Sequence, residues 1–541
     1  MKPKRILIVS DFHITSGKNP VTGRWSPTED FFWDEEFKEF LTHYSDGVPT
    51  TLIINGDLFD FLQVLIIPTD DEKEEFKIPE EEIDRKYGLQ CSEACCEFQI
   101  VQMMNGHPVF FDALAEFLSR GHELKIIKGN HDIQLHWLKI QKRIRERLQL
   151  LCKRTRKKLK TGQIEFLPWF YYIPELLYVE HGNQFEPMTA FRNFLYPVLP
   201  PVDDHRRSPQ IELDLSGFLV RYLTNRLEPV NPLADNIRPL TEYYSKMWKK
   251  YPFLMIETLG TALRFVLKAF RKARELRQGS KSAENTKIVR RNREGIHEQA
   301  ASFAGKDPKA VRWLENHLTR FDERRATPTL AEGAFKFLLG VIKEGTKSIK
   351  VLLPLYLLTF IPDVGNWILD VVKGTNVTLL VAVAEFLHRF NLLHALVIVI
   401  VGLMLIWLVR KLRRVKTSTE KSEVLPDVSM EMRTHAEDIA KTLGVKFVTF
   451  GHTHYADTCG LFDGGRYFNT GTWMGIYEEQ EQLYREAHQF TFLLVEGMDA
   501  SLLRWNPDGK KPFPVVVVDN RPPLSGEEDG IVRLMMKALK L

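Results

Sequence analysis

Five short apolar segments, each followed at once by polar residues able to bind metal, constrain this chain of 541 residues more than any other feature. Their length and β-branched composition are typical of buried strands. Helical patterns separate the first three segments, so the sequence predicts an α/β fold. In such folds, sites form beyond the carboxyl ends of the strands, and we expect the five polar groups to meet there. The segments are RILIVS at 5–10, TTLIINGD at 50–57, ELKIIKGNHD at 123–132, LLYVEHGN at 176–183 and VKFVTFGHTH at 445–454.

The polar residues at these segment ends have the chemistry of metal ligands. Single residues separate Asp11 from His13 and His452 from His454, and on an extended chain this spacing keeps both side chains on one face. Carboxylate and imidazole together suit Mn, Fe, Zn or Ni. The ligands are too many for one ion, and Asp57 can bridge two, so we expect two divalent ions about 3.5–4 Å apart, with Mn²⁺ as the first choice. The candidate ligands are Asp11, His13, Asp57, Asn130, His181, His452 and His454.

Taken in order, the motifs DFH, GDLFD, GNHD, HG and GHTH resemble the motif set of the calcineurin-like metallophosphoesterases. The resemblance covers about residues 1–190 and 430–500. It implies a four-layer αββα sandwich, with helices outside two facing mixed sheets and the dimetal site at the strand ends. It also implies how the ligands divide between the ions, with Asp57 shared. One ion would take Asp11, His13 and His454, and the other Asn130, His181 and His452.

The same resemblance assigns catalytic roles. His131 would protonate the leaving oxygen or steady the phosphate, and Asp60 or Asp132 would orient it. The nucleophile would be a hydroxide bridging the two ions, because metals lower the pKa of bound water. The implied activity is metal-dependent hydrolysis of a phosphoester. A plainer interpretation exists for Asp60, which could simply cap the helix that follows it.

Between the motif groups, the sequence changes character. Residues 351–372 and 392–409 are strongly apolar, and the second has no acidic or basic residue except His394, close to the roughly 20 apolar residues of a membrane span. Residues 257–276 predict a basic amphipathic helix, packed on the enzyme or lying on anionic lipid. Lysines and arginines flank the apolar pair, which favours cytoplasmic ends. We therefore expect a membrane hairpin with a cytoplasmic catalytic domain; buried helices, or a re-entrant first segment, are the alternatives.

The overall composition excludes two kinds of function. The net charge of +4 is too small to indicate a nucleic-acid partner. The five cysteines lack paired metal-site spacing, which favours free thiols in a reducing compartment.

The motif groups and the apolar segments between them predict a division of the chain into five parts. The parts are 1–190, the first part of the metallophosphoesterase core; 191–345, a basic helical insert; 346–412, the membrane hairpin; 413–515, the second part of the core; and 516–541, a C-terminal tail.

The substrate is predicted from the insert. A basic insert beside a membrane hairpin suggests a phosphorylated lipid or another membrane-associated phosphate compound, with membrane lipids as partners. Arg192, Arg206 and Arg207 could contact the phosphate or a headgroup, or could be solvated surface. The chain also resembles the UDP-diacylglucosamine hydrolases, in GDLF at 56–59 and in a His-Gly followed ten residues on by FRNF, but those generally carry Arg where this chain has His131. A pyrophosphatase cleaving a nucleotide-sugar lipid and a non-catalytic membrane scaffold are the alternative functions.

Overall fold

The structure is a computed structural model of the chain. Its described residues fall in one compact unit that includes segments from both sides of the insert. The described ranges are 5–154, 157–186, 189–199, 208–225, 237–238, 283–301, 428–461, 464–475, 477–478, 483–484 and 489–515.

Two main sheets organise these residues, and each combines strands from remote parts of the sequence. The first has seven strands in the order β17-β16-β15-β1-β2-β5-β6, and the second has five in the order β11-β12-β10-β8-β7. The strands are β1 (Arg5–Val9), β2 (Thr50–Asn55), β3 (Ile83–Asp84), β4 (Gly88–Leu89), β5 (Glu123–Ile127), β6 (Ile164–Leu167), β7 (Phe170–Ile173), β8 (Leu177–Glu180), β9 (Ile237–Arg238), β10 (Phe447–Phe450), β11 (Ala456–Gly460), β12 (Arg466–Thr470), β13 (Tyr477–Glu478), β14 (Leu483–Tyr484), β15 (Thr491–Glu496), β16 (Asp499–Asn506) and β17 (Lys511–Pro514).

The pairing of these strands brings the two ends of the chain together. β1, β2, β5 and β6 run parallel to their neighbours, whereas β15 pairs with β1 in antiparallel register, with Ile6 opposite Val495. In the second sheet, β10 lies parallel to β8 and pairs Phe447 with Leu177. The carboxyl ends of β1, β2 and β5 therefore share one edge of the first sheet, and those of β8 and β10 share one edge of the second.

Helices cover the outer faces of the sheets. The first turns of several of these helices are capped by side chains. Thr69 and Glu72 form a capping box at the helix Asp70–Phe76, and Ser92 and Asp214 cap the helices Glu93–Gly106 and Leu215–Leu219 through their side chains. None of the five cysteines forms a disulfide, and four of them are buried. The α-helices are α1 (Asp34–His43), α2 (Asp70–Phe76), α3 (Glu93–Gly106), α4 (Pro108–Ser119), α5 (Leu138–Arg154), α6 (Leu215–Leu219), α7 (Ala283–Ala301) and α8 (Val428–Leu443).

Alternation along the buried strands divides the core into layers. Ile6 and Ile8 of β1 pack in a cluster that also holds Val179 and Phe468 of the second sheet, so this cluster fills the space between the sheets. Their neighbours Leu7 and Val9 belong to the larger cluster, together with buried residues of α1, α4 and α5. α8 contributes Met432, Ala436 and Ile439 to the same cluster, beside Val448 and Tyr467 of the second sheet. The period of two in a strand sends successive side chains to opposite faces, which explains this division.

The loop after β1 is fixed by a buried charged network centred on His107, at the junction of α3 and α4. Its Nε2 lies 3.2 Å from Glu29, and its Nδ1 lies 3.0 Å from Asp34. Glu29 in turn accepts hydrogen bonds from the backbone amides of Thr15, Gly17 and Phe31. Burial would lower the pKa of His107, but the charges of Glu29 and Asp34 reverse this and raise it to about 9. The loop that follows Asp11 and His13 is thus anchored to the helical layer by a charged imidazole.

This network predicts a pH dependence of stability. A pKa of about 9 in the folded state lies above the 6.5 of an ordinary histidine, so the contribution of His107 to stability is full below about pH 6.5 and is lost as the pH rises through 9. We expect the denaturant midpoint of the wild-type protein to fall between these pH values. In a His107→Gln variant, which has no charge to lose, the same interval should show a smaller fall. Equal pH dependence in the two proteins would contradict a charged His107.

The predicted fold class, an αββα sandwich with membrane segments in its insert, is wrong as stated. In the parts of the chain that the structure describes, no helix is both long and apolar enough to span a bilayer. Of the two described α-helices of the insert, α6 has only five residues, and α7 is long enough but has Lys287, Arg290, Arg291, Arg293, Glu294 and Glu298 along its length. The described residues support a mixed α/β fold with the sheets given above. The segments predicted at 351–372, 392–409 and 257–276, and the tail at 516–541, lie outside the described residues.

Candidate metal centre

All seven candidate ligands follow the carboxyl ends of strands. Asp11 and His13 come after β1, Asp57 after β2, and Asn130 after β5 in the first sheet. His181 follows β8, and the His452–His454 pair follows β10, in the second sheet. Histidines from near residue 450 therefore lie beside the aspartate at residue 11, with His454 Nε2 only 3.5 Å from Asp11 Oδ1. The structure brings together the remote residues that the sequence analysis selected.

The backbone at these residues is unusual. Asp11, His13, Asp57, His452 and His454 all have positive φ angles, between 50° and 70°, and they account for five of the nine such non-glycine residues in the described ranges. Non-glycine residues seldom adopt this conformation, and they do so chiefly where a site demands it. The backbone therefore turns sharply at each of these five residues, which directs side chains from different strands toward one point. The extended chain expected from Asp11 to His13 and from His452 to His454 is wrong, since all four residues have left-handed φ angles.

The packing around Asp57 leaves no room for a side chain at position 129. A Cβ on Gly129 would lie 2.2 Å from Asp57 Oδ1, which is closer than atoms can approach. The His131 amide donates to the same Oδ1 at 2.9 Å. Gly129 thus allows the loop after β5 to pack against the carboxylate, so that Asn130, between Gly129 and His131, lies beside Asp57.

Two groups of ligand atoms lie side by side. Asp11, His13 and His454 form one, in which His13 Nε2 lies 4.0 Å from Asp11 Oδ1, and Asp57, His181 and His452 form the other. Within each group the ligand atoms lie within 4.8 Å of one another. His13 Nε2 is 3.7 Å from Asp57 Oδ2, and His181 Nε2 is 3.0 Å from the same oxygen. Asp57 therefore stands between the groups, where a bridging ligand would be needed.

Several of these polar atoms are buried yet make no hydrogen bond within the described residues. Buried polar groups normally have a partner, so each exception calls for an explanation. A cation supplies one, because carboxylate, amide and imidazole atoms are the ligands of Mn-, Fe- and Zn-type ions. The residues present thus fit a metal centre. The atoms without a hydrogen bond are Asp11 Oδ1, both His13 nitrogens and Asn130 Oδ1, and also His181 Nε2, whose one close polar neighbour given above is Asp57 Oδ2.

The charges in the site also favour a cation. Burial alone would raise the pKa of Asp57, but the charges of His181 and His131 hold it well below its usual value. Burial would lower the pKa of His181, and Asp57 reverses this and raises it to about 9. Buried carboxylates thus draw protons onto neighbouring imidazoles. Metal ions would replace those protons, since a metal ligand must be deprotonated.

His131 differs from the other imidazoles because a carboxylate holds one of its nitrogens. Its Nδ1 lies 2.5 Å from Asp60 Oδ2, and this pairing outweighs the effect of burial and raises the pKa of His131 well above its usual value. Asp60 also accepts hydrogen bonds from the amides of Leu62 and Gln63, so it caps a 3-10 turn as well as holding His131. Both interpretations offered for Asp60 describe contacts that are present. His131 could also serve as a ligand, because it groups with His13 and Asp57 within 4.8 Å.

Asp132, the next residue in this loop, makes different contacts from those of Asp60. Its two carboxylate oxygens accept from the Gly129 amide at 2.6 Å and the Leu58 amide at 2.9 Å. It therefore ties the loop after β5 to the loop after β2, where Asp57 lies. The structure assigns the contact with His131 to Asp60, and Asp132 supports the backbone that presents Asn130.

Sequence reasoning missed Glu186. Its Oε2 lies 2.7 Å from His452 Nε2, and Thr189 Oγ1 lies 3.1 Å from the same nitrogen. With Nε2 engaged in this way, Nδ1 is the His452 nitrogen left to face the metal centre. His181 is oriented in the same manner, by its Nδ1 bonding the Asn55 carbonyl at 2.8 Å. The available signal was a carboxylate five residues after His181, which is weak without coordinates.

Removing Glu186 is expected to weaken metal binding. Loss of an outer-shell partner of a metal-bound histidine typically costs about 10–100-fold in affinity or activity. A Glu186→Ala variant should therefore hold fewer equivalents of Mn²⁺ after dialysis, measured by inductively coupled plasma mass spectrometry. The exposed Glu298, changed to Ala, is the matched control and should leave the metal content unchanged. Equal metal content in both variants would show that Glu186 does not support His452.

The predicted substrate-binding arginines are placed only in part. Arg192 is half-buried, and its charge acts on the buried carboxyl of Glu212, whose pKa burial raises to about 7. Arg206 and Arg207 lie outside the described residues. The predicted role of Arg192 in substrate binding stays a prediction.

The chain matches no protein-family model, and no curated protein is significantly similar to it. The residues and geometry of the site are therefore the basis for assigning a function.

Proposed function

We propose that this protein is a metal-dependent phosphoesterase whose centre is formed by Asp11, His13, Asp57, Asn130, His181, His452 and His454. The observation that carries the proposal is the convergence of these residues from five strand ends, with unpartnered buried nitrogen and oxygen atoms facing one another. Asp57 would be shared between two divalent ions, with Mn²⁺ as the first choice. Such ions would supply positive charge that orients a phosphate, stabilises its transition state and makes water nucleophilic.

His131 would then act on the leaving group. Asp60 holds Nδ1, fixes the orientation of the ring and keeps the imidazole protonated, which leaves Nε2–H to donate to the leaving oxygen. A positioned acid of this kind contributes typically about 10²–10⁴-fold to the rate. The half-buried position of His131, in contrast to the buried Asp60, allows a substrate to reach it.

The substrate class is less closely defined by this site. The ligand set suits any phosphate ester that can reach the metals, whether a monoester or a diester. A lipid-linked phosphate stays a prediction from sequence, because the segments that suggested it lie outside the described residues. The predicted localisation, at a membrane with the catalytic domain on the cytoplasmic side, stays a prediction because it depends on the same segments.

A direct test is hydrolysis of 4-nitrophenyl phosphate and bis(4-nitrophenyl) phosphate. We expect hydrolysis of at least one of them with Mn²⁺, its loss after treatment with EDTA, and its return when Mn²⁺ is restored. A protein that binds Mn²⁺ but cleaves neither these compounds nor a panel of natural phosphate esters would instead support the non-catalytic scaffold. Release of a nucleoside monophosphate from a nucleotide-sugar lipid would favour the pyrophosphatase.

A further inference from the structure

A buried lysine stands beside the loop that carries Asn130 and His131. Lys128 follows β5 directly and is only 3% exposed. Its ammonium donates to the Phe194 carbonyl at 2.7 Å and lies 4.3 Å from the centre of the Phe194 ring. An ammonium has three donors, so a single carbonyl leaves it poorly satisfied for a buried charge.

Two further basic groups, His136 and Arg291, lie near Lys128, since the charges of Lys128 and Arg291 both act on His136. The ring of His136, at the end of the turn that follows Asp132, packs against Tyr196 with ring centres 5.3 Å apart. The guanidinium of Arg291, on α7, hydrogen-bonds the Tyr196 hydroxyl and lies 4.9 Å from the centre of its ring. We call Lys128, His136 and Arg291 the basic cluster.

Segments of the predicted insert build this cluster onto the core. Phe194 and Tyr196 belong to the FRNFLY segment at 191–196, and Asn292 of α7 accepts a hydrogen bond from the Leu195 amide at 3.1 Å. The core contributes Lys128 and His136 from either side of the loop at 129–132. The cluster therefore runs from a buried lysine, two residues from Asn130, to an exposed arginine on the insert.

Within the described ranges, little negative charge faces the cluster. Burial and the positive charges of Lys128 and Arg291 lower the pKa of His136 to about 3. Asp132 is the carboxylate whose charge acts on Lys128, and its oxygens already accept the Gly129 and Leu58 amides. With a pKa of about 3, His136 is a neutral imidazole, and burial also lowers the pKa of Lys128 to about 7. The Lys128 amine and the Arg291 guanidinium each make one hydrogen bond among the described residues, so donors are left for an anionic ligand, and the neutral His136 ring can add another.

We propose that the basic cluster binds a second phosphate group of the substrate, beside the phosphate that the metal centre would hold. This inference rests on the proposed function and narrows it, because the preferred substrate would then carry two phosphate groups. Arg291 supplies a planar donor fork at the exposed end, and Lys128 supplies a point charge near the metal ligands. The insert would thereby select the substrate.

A binding experiment without metal tests the subsite independently of catalysis. The protein is stripped with EDTA, dialysed and titrated with inorganic phosphate by isothermal titration calorimetry. We expect binding in the wild-type protein and about tenfold weaker binding in Arg291→Ala, the scale of one hydrogen bond to a charged group. The exposed Arg293 on the same helix, changed to Ala, is the matched control and should bind like the wild type. Equal affinity in both variants, or no binding in the wild type, would overturn the subsite.

Lys128 is tested by substitution with methionine, which has a side chain of similar length and carries no charge. We expect Lys128→Met to abolish phosphate binding while circular dichroism and the melting temperature show a folded protein. Arg291 is exposed, so Arg291→Ala decides the question even if Lys128→Met does not fold. A folded Lys128→Met variant with unchanged affinity for phosphate would remove Lys128 from the site.

A kinetic comparison decides whether the bound phosphate belongs to the substrate. Butane-1,4-diol monophosphate and bisphosphate differ only in a second phosphate, so the ratio of their KM values reports on the subsite. We expect a lower KM for the bisphosphate in the wild type and in Arg293→Ala, and a difference reduced about tenfold in Arg291→Ala. Equal KM values together with phosphate binding would show a site for free phosphate, and would overturn the substrate assignment. If neither compound is cleaved, the proposed function fails, and the calorimetric result still decides the subsite.

Discussion

Replacing Asp57 with asparagine is expected to abolish phosphoester hydrolysis and to remove most of the bound metal. Asp57 stands between the two groups of ligand atoms, with His13 Nε2 at 3.7 Å and His181 Nε2 at 3.0 Å from its Oδ2. An amide is nearly the same size but carries no charge, so the two ions would lose the anion they share. We expect activity and metal affinity to fall further than the about 10–100-fold that is typical when a partner of a metal-bound histidine is lost.

The measurement pairs initial rates on 4-nitrophenyl phosphate with the metal content of the same preparation. Asp112, exposed on α4, is the control, and Asp112→Asn should keep both values at the wild-type level. Thermal unfolding of the metal-free proteins separates a folding defect from a binding defect. A folded Asp57→Asn protein with full metal content and wild-type activity would remove Asp57 from the centre.

The second large effect is expected for His131→Ala, which should lower kcat by about 10²–10⁴-fold, the range for loss of a general acid. Metal content should stay near the wild-type value, because His131 is proposed to act on the substrate. This pattern separates His131 from the ligands, whose loss lowers both quantities. A His131→Ala protein that loses metal in proportion to activity would show that His131 is a ligand, as its grouping with His13 and Asp57 allows.

The partner of His131 gives the matching variant. Asp60→Asn removes the charge that keeps His131 protonated, so the upper limb of the pH–rate profile should move to lower pH. Asp60 also caps the turn at Phe61–Gln63, and asparagine retains a side-chain oxygen able to cap it. A pH profile unchanged from the wild type would show that Asp60 does not set the protonation of His131.

The parts of the site that could be predicted from sequence are those with local signals. An apolar run that ends in Asp-x-His or His-x-His combines a strand pattern with ligand chemistry in one short window, so Asp11 and His454 could be paired across more than 440 residues. The strand pattern also placed β1, β2, β5, β8 and β10 correctly as strands. The positive φ angles at five ligands could not be predicted from sequence, because most aspartates and histidines have negative φ and nothing in the short motifs marks the exceptions.

Residues that act through tertiary contacts escaped prediction. Glu186 and Lys128 are charged residues of types usually found at the surface, and nothing adjacent in the chain indicates their neighbours. Their roles depend on the FRNFLY segment and on the loop after β8, which fold back onto the centre. The membrane segments were predicted at 351–372 and 392–409, outside the described residues. No described helix is both long and apolar enough to span a bilayer, and α7, for example, is long but highly charged.

The most direct test of the central claim is anomalous diffraction from crystals of the protein grown with Mn²⁺. We predict two peaks at the manganese edge, about 3.5–4 Å apart, on either side of the Asp57 carboxylate. One should lie among Asp11, His13 and His454, and the other among Asn130, His181 and His452. Manganese bound only away from these residues, or no peak at saturating Mn²⁺, would contradict a metal centre assembled from both ends of the chain.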